Sequence, residues 1–239
     1  MGLVALPLAL RSARTPIDRV SLGLIALNAA FDGLNMLAFF AALAHTTVAI
    51  AVLTHYLAPI LIALAAPRID GVAARGAGFA AVVALAGLVI ILEPWHAPPE
   101  GAVFGALCGT ASAFCYAGNT FTVRRLAARI GAARALSYHS LLIALVLSPL
   151  LISHLGEVSL AQVAVLGAGS ATIGAIAGVV FTLGLLRIGS ARAAILTFAE
   201  PVVAVALGAL VWDEPLHPIA MLGGALVLGA GIEVARKAR

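Results

Sequence analysis

Long apolar runs separated by short polar connectors occupy almost the whole chain. The runs fall near residues 21–43, 47–66, 76–92, 101–122, 136–153, 160–186, 191–211 and 217–235. A helix needs about 20 apolar residues to cross roughly 30 Å of hydrocarbon, and each run is near that length. The pattern therefore predicts an all-α, polytopic membrane bundle with about eight crossings. Residues 3–10 form one more apolar stretch. It is too short to cross as a helix and reads as the tail of a span whose beginning is absent. Small residues recur at helical spacing, with Gly101, Gly105 and Gly109 on one run and Gly174 and Gly178 on another. Such faces let helix backbones approach closely. They are expected to pack within the chain, and a homodimer face is the other use open to them.

Composition excludes a water-soluble domain: 63% of residues are hydrophobic and 10% charged, against about 25% charged in soluble domains. The sequence pI near 9.7 is not a nucleic-acid signal, because of where the charges fall. Alternating the predicted spans puts all 14 basic residues, from Arg11 to Arg239, on one side. The other side holds Glu93, Glu100, Glu157, Asp213 and Glu214. Basic connectors stay in the cytoplasm, so the reading is a multi-pass plasma-membrane protein with a cytoplasmic C-terminus. Trp95 and Trp212 fall at the outer ends of spans, where aromatic anchors belong. Cys108 and Cys115 lie seven residues apart, about 10 Å along a helix axis, too far for a disulfide; they read as packing residues. No metal-ligand spacing and no cofactor motif is present, and Met1 to Leu10 has no basic leader to suggest a cleavable signal.

The segment Phe39 to Leu64 aligns with Phe181 to Ala206 at a constant offset, so that Phe39 meets Phe181, Tyr56 meets Phe198 and Pro59 meets Pro201. After a small length change Gly87 meets Gly231. The two proline-bearing spans run in opposite directions by the alternation above. That predicts an inverted-topology repeat, an arrangement common in secondary transporters.

In its second half the chain reads Ala199-Glu200-Pro201-Val202-Val203-Ala204, then Trp212-Asp213-Glu214-Pro215-Leu216, then Gly223-Gly224-Ala225-Leu226-Val227-Leu228-Gly229. In this ordered set, with Tyr56-Leu57-Ala58-Pro59 and Gly87 as first-half counterparts, it resembles the EamA branch of the drug/metabolite transporter superfamily. The resemblance implies ten spans in two five-helix repeats. Residues 1–98 then look like the remainder of the first repeat (the end of span 2 and spans 3–5), and 99–239 like the second (spans 6–10). The chain departs from the pattern by lacking the first span and most of the second. It departs again at Arg68-Ile69-Asp70-Gly71, which stands where the family has an acidic turn.

Ionisable groups inside a span cost about 2.5–3.5 kcal/mol each on insertion scales, so they are expected to be functional. Asn28, Asp32 and Asn35 lie at i, i+4 and i+7, one face of a helix. Asp32, His55 and Glu200 all fall near mid-span, where carriers of this architecture place their sites. Tyr56, Asn119 and Tyr116 are further binding candidates. Asp32 is alternatively a carboxyl that holds Asn28 and Asn35 in helix packing, and His139 reads as a snorkelling or cap residue near the inner interface. Pro59 and Pro201 free backbone carbonyls and are hinge candidates.

With no Lys or Arg at mid-span, Asp32 and Glu200 lack a strong cationic partner and are suited to exchange protons. The same absence disfavours phosphorylated substrates, which call on Arg or Lys, and favours a neutral, zwitterionic or cationic metabolite such as an amino acid. The expected function is a secondary transporter, with proton coupling as one way to drive it. A channel, a structural membrane subunit or an inactive fragment of a carrier is the alternative. An enzyme is not expected: no Gly-x-Ser-x-Gly occurs, and Ser140 and His139 are helical neighbours that do not face each other. No phosphate-binding loop for ATP is present either.

Overall fold

The structure, a computed structural model, describes residues 2–11, 15–71, 76–93, 95, 102–153, 156, 159–212 and 218–236. Among them it is all-helical. The helices are α1 (Gly2–Arg11), α2 (Arg19–His45), α3 (Val48–His55), α4 (Ala58–Ile69), α5 (Ala77–Leu92), α6 (Ala102–Ile130), α7 (Ala132–Ser153), α8 (Leu160–Gly169), α9 (Ala175–Ile188), α10 (Ser190–Leu196), α11 (Ala199–Trp212) and α12 (Pro218–Arg236). A π-helical turn, Ser170–Gly174, makes α8 and α9 one continuous rod. Gly101, the acidic turn at Asp213 and Glu214, and Glu100, Glu157, Lys237 and Arg239 lie outside the described residues.

Five stretches among the described residues are long and apolar enough to cross a membrane: Arg19–His45, Val48–Ile69, Ala132–Leu150, Leu160–Ile188 and Ser190–Val211. α6 is 29 residues long yet falls outside that set, because Thr110, Ser112, Tyr116 and Asn119 interrupt its apolar run. Three of them, Ser112, Tyr116 and Asn119, belong to the polar clusters described below.

Two apolar runs are broken. The run at 47–66 divides into α3 and α4 around Tyr56 and Leu57, and the run at 191–211 into α10 and α11 around Thr197 and Phe198. Proline cannot donate a backbone hydrogen bond and its ring crowds the carbonyl four residues back. The chain resolves this by restarting, so that Pro59 is the second residue of α4 and Pro201 the third of α11, where a missing N–H is harmless. The carbonyl that Pro201 cannot reach, that of Thr197, accepts from the Glu200 N–H at 3.0 Å instead. Elsewhere the helices turn on glycine: Gly131 (φ +88°) joins α6 to α7, and Gly189 (φ +82°) joins α9 to α10. A side chain at either φ is strained.

Residue size is distributed as a membrane requires. The interior is mostly alanine, with a few large groups such as Ile62, Leu88, Leu126, Leu185 and Phe198. It also holds polar groups, among them Ser21, Asn28, Ser112, Ser137 and His139. Large apolar side chains face outward, with Leu160 85% and Leu210 80% exposed. In water such a surface drives aggregation. In lipid it is the solvent-facing side, and small residues inside allow close helix packing.

The chain forms two compact units. The first comprises residues 1–33 and 118–187, the second 34–117 and 188–239. In the first unit α1 packs on α7, with Gly2 against Leu141 and Ser137. Gly118 is seated on the ring of Phe31 and Gly178 on Leu136. Three of its arginines are tied down: Arg134 donates to the Thr15 carbonyl (2.8 Å) and hydroxyl (2.9 Å) and lies over the Tyr138 ring. Arg124 donates to the Leu185 carbonyl at 3.1 Å, and Arg129 pairs with Asp18 at 2.6 Å.

Asp18 also accepts the Ser21 N–H at 2.9 Å, just ahead of α2. Hydrogen bonds from Ser21, side chain and backbone, and then the Arg129 guanidinium hold its carboxyl down at about 2. A depressed carboxyl stabilises the fold above its ordinary value and loses that contribution as pH falls toward the depressed one. Acidification between about pH 4 and pH 2 is thus expected to weaken the wild type more than Asp18→Asn. Thermal unfolding of both proteins across that window in detergent checks this; parallel curves would contradict it.

In the second unit α5 and α12 meet across glycine. A Cβ added to Gly87 would stand 2.6 Å from the Gly223 carbonyl oxygen, and one added to Gly223 would stand 2.5 Å from that of Gly87. The expected glycine face of α6 also packs within the chain, with Gly105 against Thr46 and Gly109 against Thr54.

Candidate functional site

Both helix breaks of the second unit contribute to one pocket. His55, Tyr56, Ala58 and Pro59 come from the first break, Thr197 and Glu200 from the second, and Tyr116 from α6. It is a small open cleft with a cavity volume of about 40 Å³, room for one small group of a larger molecule.

Behind the pocket, His55 joins a short chain of hydrogen bonds. Ser112, buried on α6, donates to Asn35 Oδ1 at 2.8 Å. A hydroxyl has one proton, so its 2.7 Å contact with His55 Nδ1 requires that nitrogen to donate. In the neutral ring this leaves Nε2 as the acceptor. The imidazole is also clamped by rings, with Phe39 at 4.9 Å, Tyr116 at 5.3 Å and Tyr56 at 5.9 Å between centroids. Glu200, in the first turn of α11, accepts from the Tyr56 hydroxyl at 3.0 Å and remains exposed. A carboxylate at a helix N-terminus is favoured by the backbone dipoles there. Tyr56 in turn packs on Phe198 at 5.3 Å, the residue with which the repeat alignment pairs it.

A second polar cluster lies in the first unit. Asp32 Oδ1 accepts from Asn119 Nδ2 at 3.1 Å, and His139 Nε2 stands 3.4 Å from Asp32 Oδ2. Asn28 is wholly buried, and neither of its amide atoms has a hydrogen-bond partner among the described residues.

A model of the EamA-like transporter family matches residues 103–232, 130 of the chain's 239 residues. An uncharacterized transporter of Archaeoglobus fulgidus is 30% identical over 237 residues, covering 98% of this chain and 82% of the relative. The chain belongs to the EamA-like transporter family. A protein of known crystal structure, 22% identical, superposes with a TM-score of 0.74 over 98% of this chain and 84% of its own, and so has the same fold. The EamA-type chain is a multi-pass membrane protein, and its family points to transport rather than catalysis. That agrees with the family expected from the sequence.

Each residue singled out from the sequence of this EamA-type chain falls at or beside one of the two clusters, but the grouping differs from the expected one. Asn28, Asp32 and Asn35 share a helix face, yet Asp32 pairs with Asn119 and Asn35 with Ser112. The idea that Asp32 holds Asn28 and Asn35 in packing is therefore corrected: hydrogen bonds to α6 replace those along α2. His139 is not a snorkelling residue. α7 begins at Ala132, which carries His139 two turns inward to face Asp32 at 6% side-chain exposure. Asp32 consequently has a partner able to carry positive charge. Sequence reasoning missed Ser112 and Phe198 and gave His139 a different role. The repeat did point at Phe198, as the counterpart of Tyr56; nothing local marked Ser112.

Proposed function

We propose that this EamA-type chain is a secondary transporter for a small metabolite carrying an amine, an amino acid or a related zwitterion or cation, with the Glu200 pocket as its binding site. The observation that carries this reading is the meeting of two interrupted helices at an exposed carboxylate ringed by Tyr56, Tyr116 and His55. Interrupted helices are where carriers build their sites, since broken backbone is tolerated at membrane depth only beside a cavity. A carboxylate with aromatic rings suits an ammonium group, through charge-assisted hydrogen bonding and cation–π attraction. Among the described residues no Lys or Arg lines the pocket, which disfavours phosphorylated substrates.

The matched breaks at Tyr56 and Phe198, each followed by proline, also support residues 1–98 and 99–239 as two halves of an inverted repeat, with hinges at Pro59 and Pro201. The one-sided placement of the basic residues supports a plasma-membrane protein with its C-terminus in the cytoplasm. Proton coupling fits the acidic residues within the spans.

The test is uptake into proteoliposomes across a panel of amino acids, small amines, sugars and sugar phosphates. Saturable uptake confined to amine-bearing compounds is expected. Uptake of phosphorylated compounds, or linear flux without saturation, would overturn the assignment.

A further inference from the structure

The geometry of the Asp32–His139 contact favours one more proton than a neutral imidazole and an ionised carboxylate carry between them. His139 Nδ1 lies 2.7 Å from the Ala135 carbonyl oxygen one turn back on α7. A carbonyl only accepts, so Nδ1 must carry a hydrogen. In neutral imidazole the other nitrogen is then bare. That bare nitrogen is the one facing Asp32 Oδ2 at 3.4 Å. A lone pair set against an ionised carboxylate is repulsive, and at 6% side-chain exposure on His139 water cannot screen it well. The arrangement becomes attractive only when one further proton lies between the two atoms, on Nε2 as an imidazolium–carboxylate pair or on Oδ2 as a carboxylic acid donating to Nε2.

We propose that Asp32 and His139 form a proton-binding pair that takes up and releases one proton as a unit. Binding makes one N–H or O–H bond and release breaks it; nothing else changes covalently. The Asp32 side chain is 34% exposed, so the pair is not sealed inside the helix packing. Asn119 holds the other oxygen, Oδ1, at 3.1 Å and so keeps Oδ2 turned to the imidazole.

Among the described residues, the other charged groups of this unit are engaged elsewhere or are exposed. Arg124 goes to the Leu185 carbonyl, Arg129 to Asp18, and Arg134 to Thr15 and the Tyr138 ring. Arg11, Arg19, Arg125 and Arg187 are exposed. Use of the pair's proton to drive transport rests on the carrier reading above; the existence of the pair does not.

Nitrogen NMR of the full chain, labelled with 15N-histidine and placed in lipid vesicles at neutral pH, reads the proton on each ring nitrogen without any substrate. In wild type, His139 is expected to show Nδ1–H together with a protonated or strongly hydrogen-bonded Nε2. In Asp32→Asn the Nε2 population in that state is expected to fall at least fivefold while Nδ1–H persists, and Glu200→Gln is expected to change neither. Should Asp32→Asn fail to fold, the infrared carboxyl band of Asp32 in His139→Gln gives the reciprocal reading, and its position or intensity is expected to change. An Nε2 signal identical in wild type and Asp32→Asn overturns the pair, as does a carboxyl band that ignores the loss of His139. Because neither readout involves flux, their failure is distinct from failure of the transport assignment.

Discussion

Glu200→Gln is expected to lower the apparent affinity for an amine-bearing substrate by about 10- to 100-fold, the equivalent of a hydrogen bond to a charged group at about 1.5–3 kcal/mol. The exchange keeps the shape of the side chain. The Tyr56 hydroxyl, now 3.0 Å from Oε2, can still donate to the amide oxygen, so the wall of the pocket stays in place. What disappears is the negative charge. The loss should therefore appear for ammonium-bearing compounds and be small for an uncharged analogue of similar size. Tyr56→Phe makes the complementary cut: it removes one neutral donor and leaves the charge, at a cost near 1 kcal/mol or about fivefold. Concentration-dependent uptake into proteoliposomes for the three proteins checks this ordering. Equal losses for charged and uncharged compounds would show that Glu200 supports the pocket rather than recognising an amine.

Gly87→Leu should destabilise the second unit by about 3 kcal/mol, the upper end for overpacking a filled interior. Even the first carbon of a side chain there meets the Gly223 carbonyl oxygen at 2.6 Å, Leu226 Cβ at 3.0 Å and Val227 Cγ2 at 3.0 Å. The nearest of these is helix backbone, which cannot swing aside as the end of a side chain can, so α5 and α12 must separate. Gly223→Ala should behave similarly, since its Cβ faces the Gly87 carbonyl oxygen at 2.5 Å. Gly23→Ala and Gly184→Ala provide the contrast. Both lie in helices with no atom within 4 Å of the added carbon, and alanine is favoured over glycine in a helix interior by about 0.5–1 kcal/mol. These two should hold or slightly raise the unfolding temperature in detergent. A Gly87→Leu protein as heat-stable as wild type would mean that the two helices are not pressed together.

The helices and their membrane character were legible along the chain because a bilayer imposes a length and a polarity that a single sequence must display. The runs at 21–43 and 47–66, for instance, became α2 and the α3–α4 pair. The alignment of Tyr56 with Phe198, and of Pro59 with Pro201, marked the places where the two broken helices contribute to the pocket. Partnership was less visible. Asn28, Asp32 and Asn35 look equivalent on a helical wheel, yet one is buried without a hydrogen-bond partner among the described residues, one faces α6 and α7, and one joins a serine on α6. Helical periodicity assigns a residue to a face; it does not say which neighbour lies across from that face.

The sequence by itself determined that this chain crosses a membrane, which residue types lie within the spans and to which family it belongs, since each of these depends on local composition and order. Only the tertiary structure decided that Glu200 meets Tyr56 from 144 residues away and that His139 faces Asp32 across 107 positions of chain. Contacts between distant segments are set by how helices pack. In an interior built largely of alanine and glycine, many packings suit the apolar pattern equally well, and close-fitting pairs such as Gly87 and Gly223 select among them.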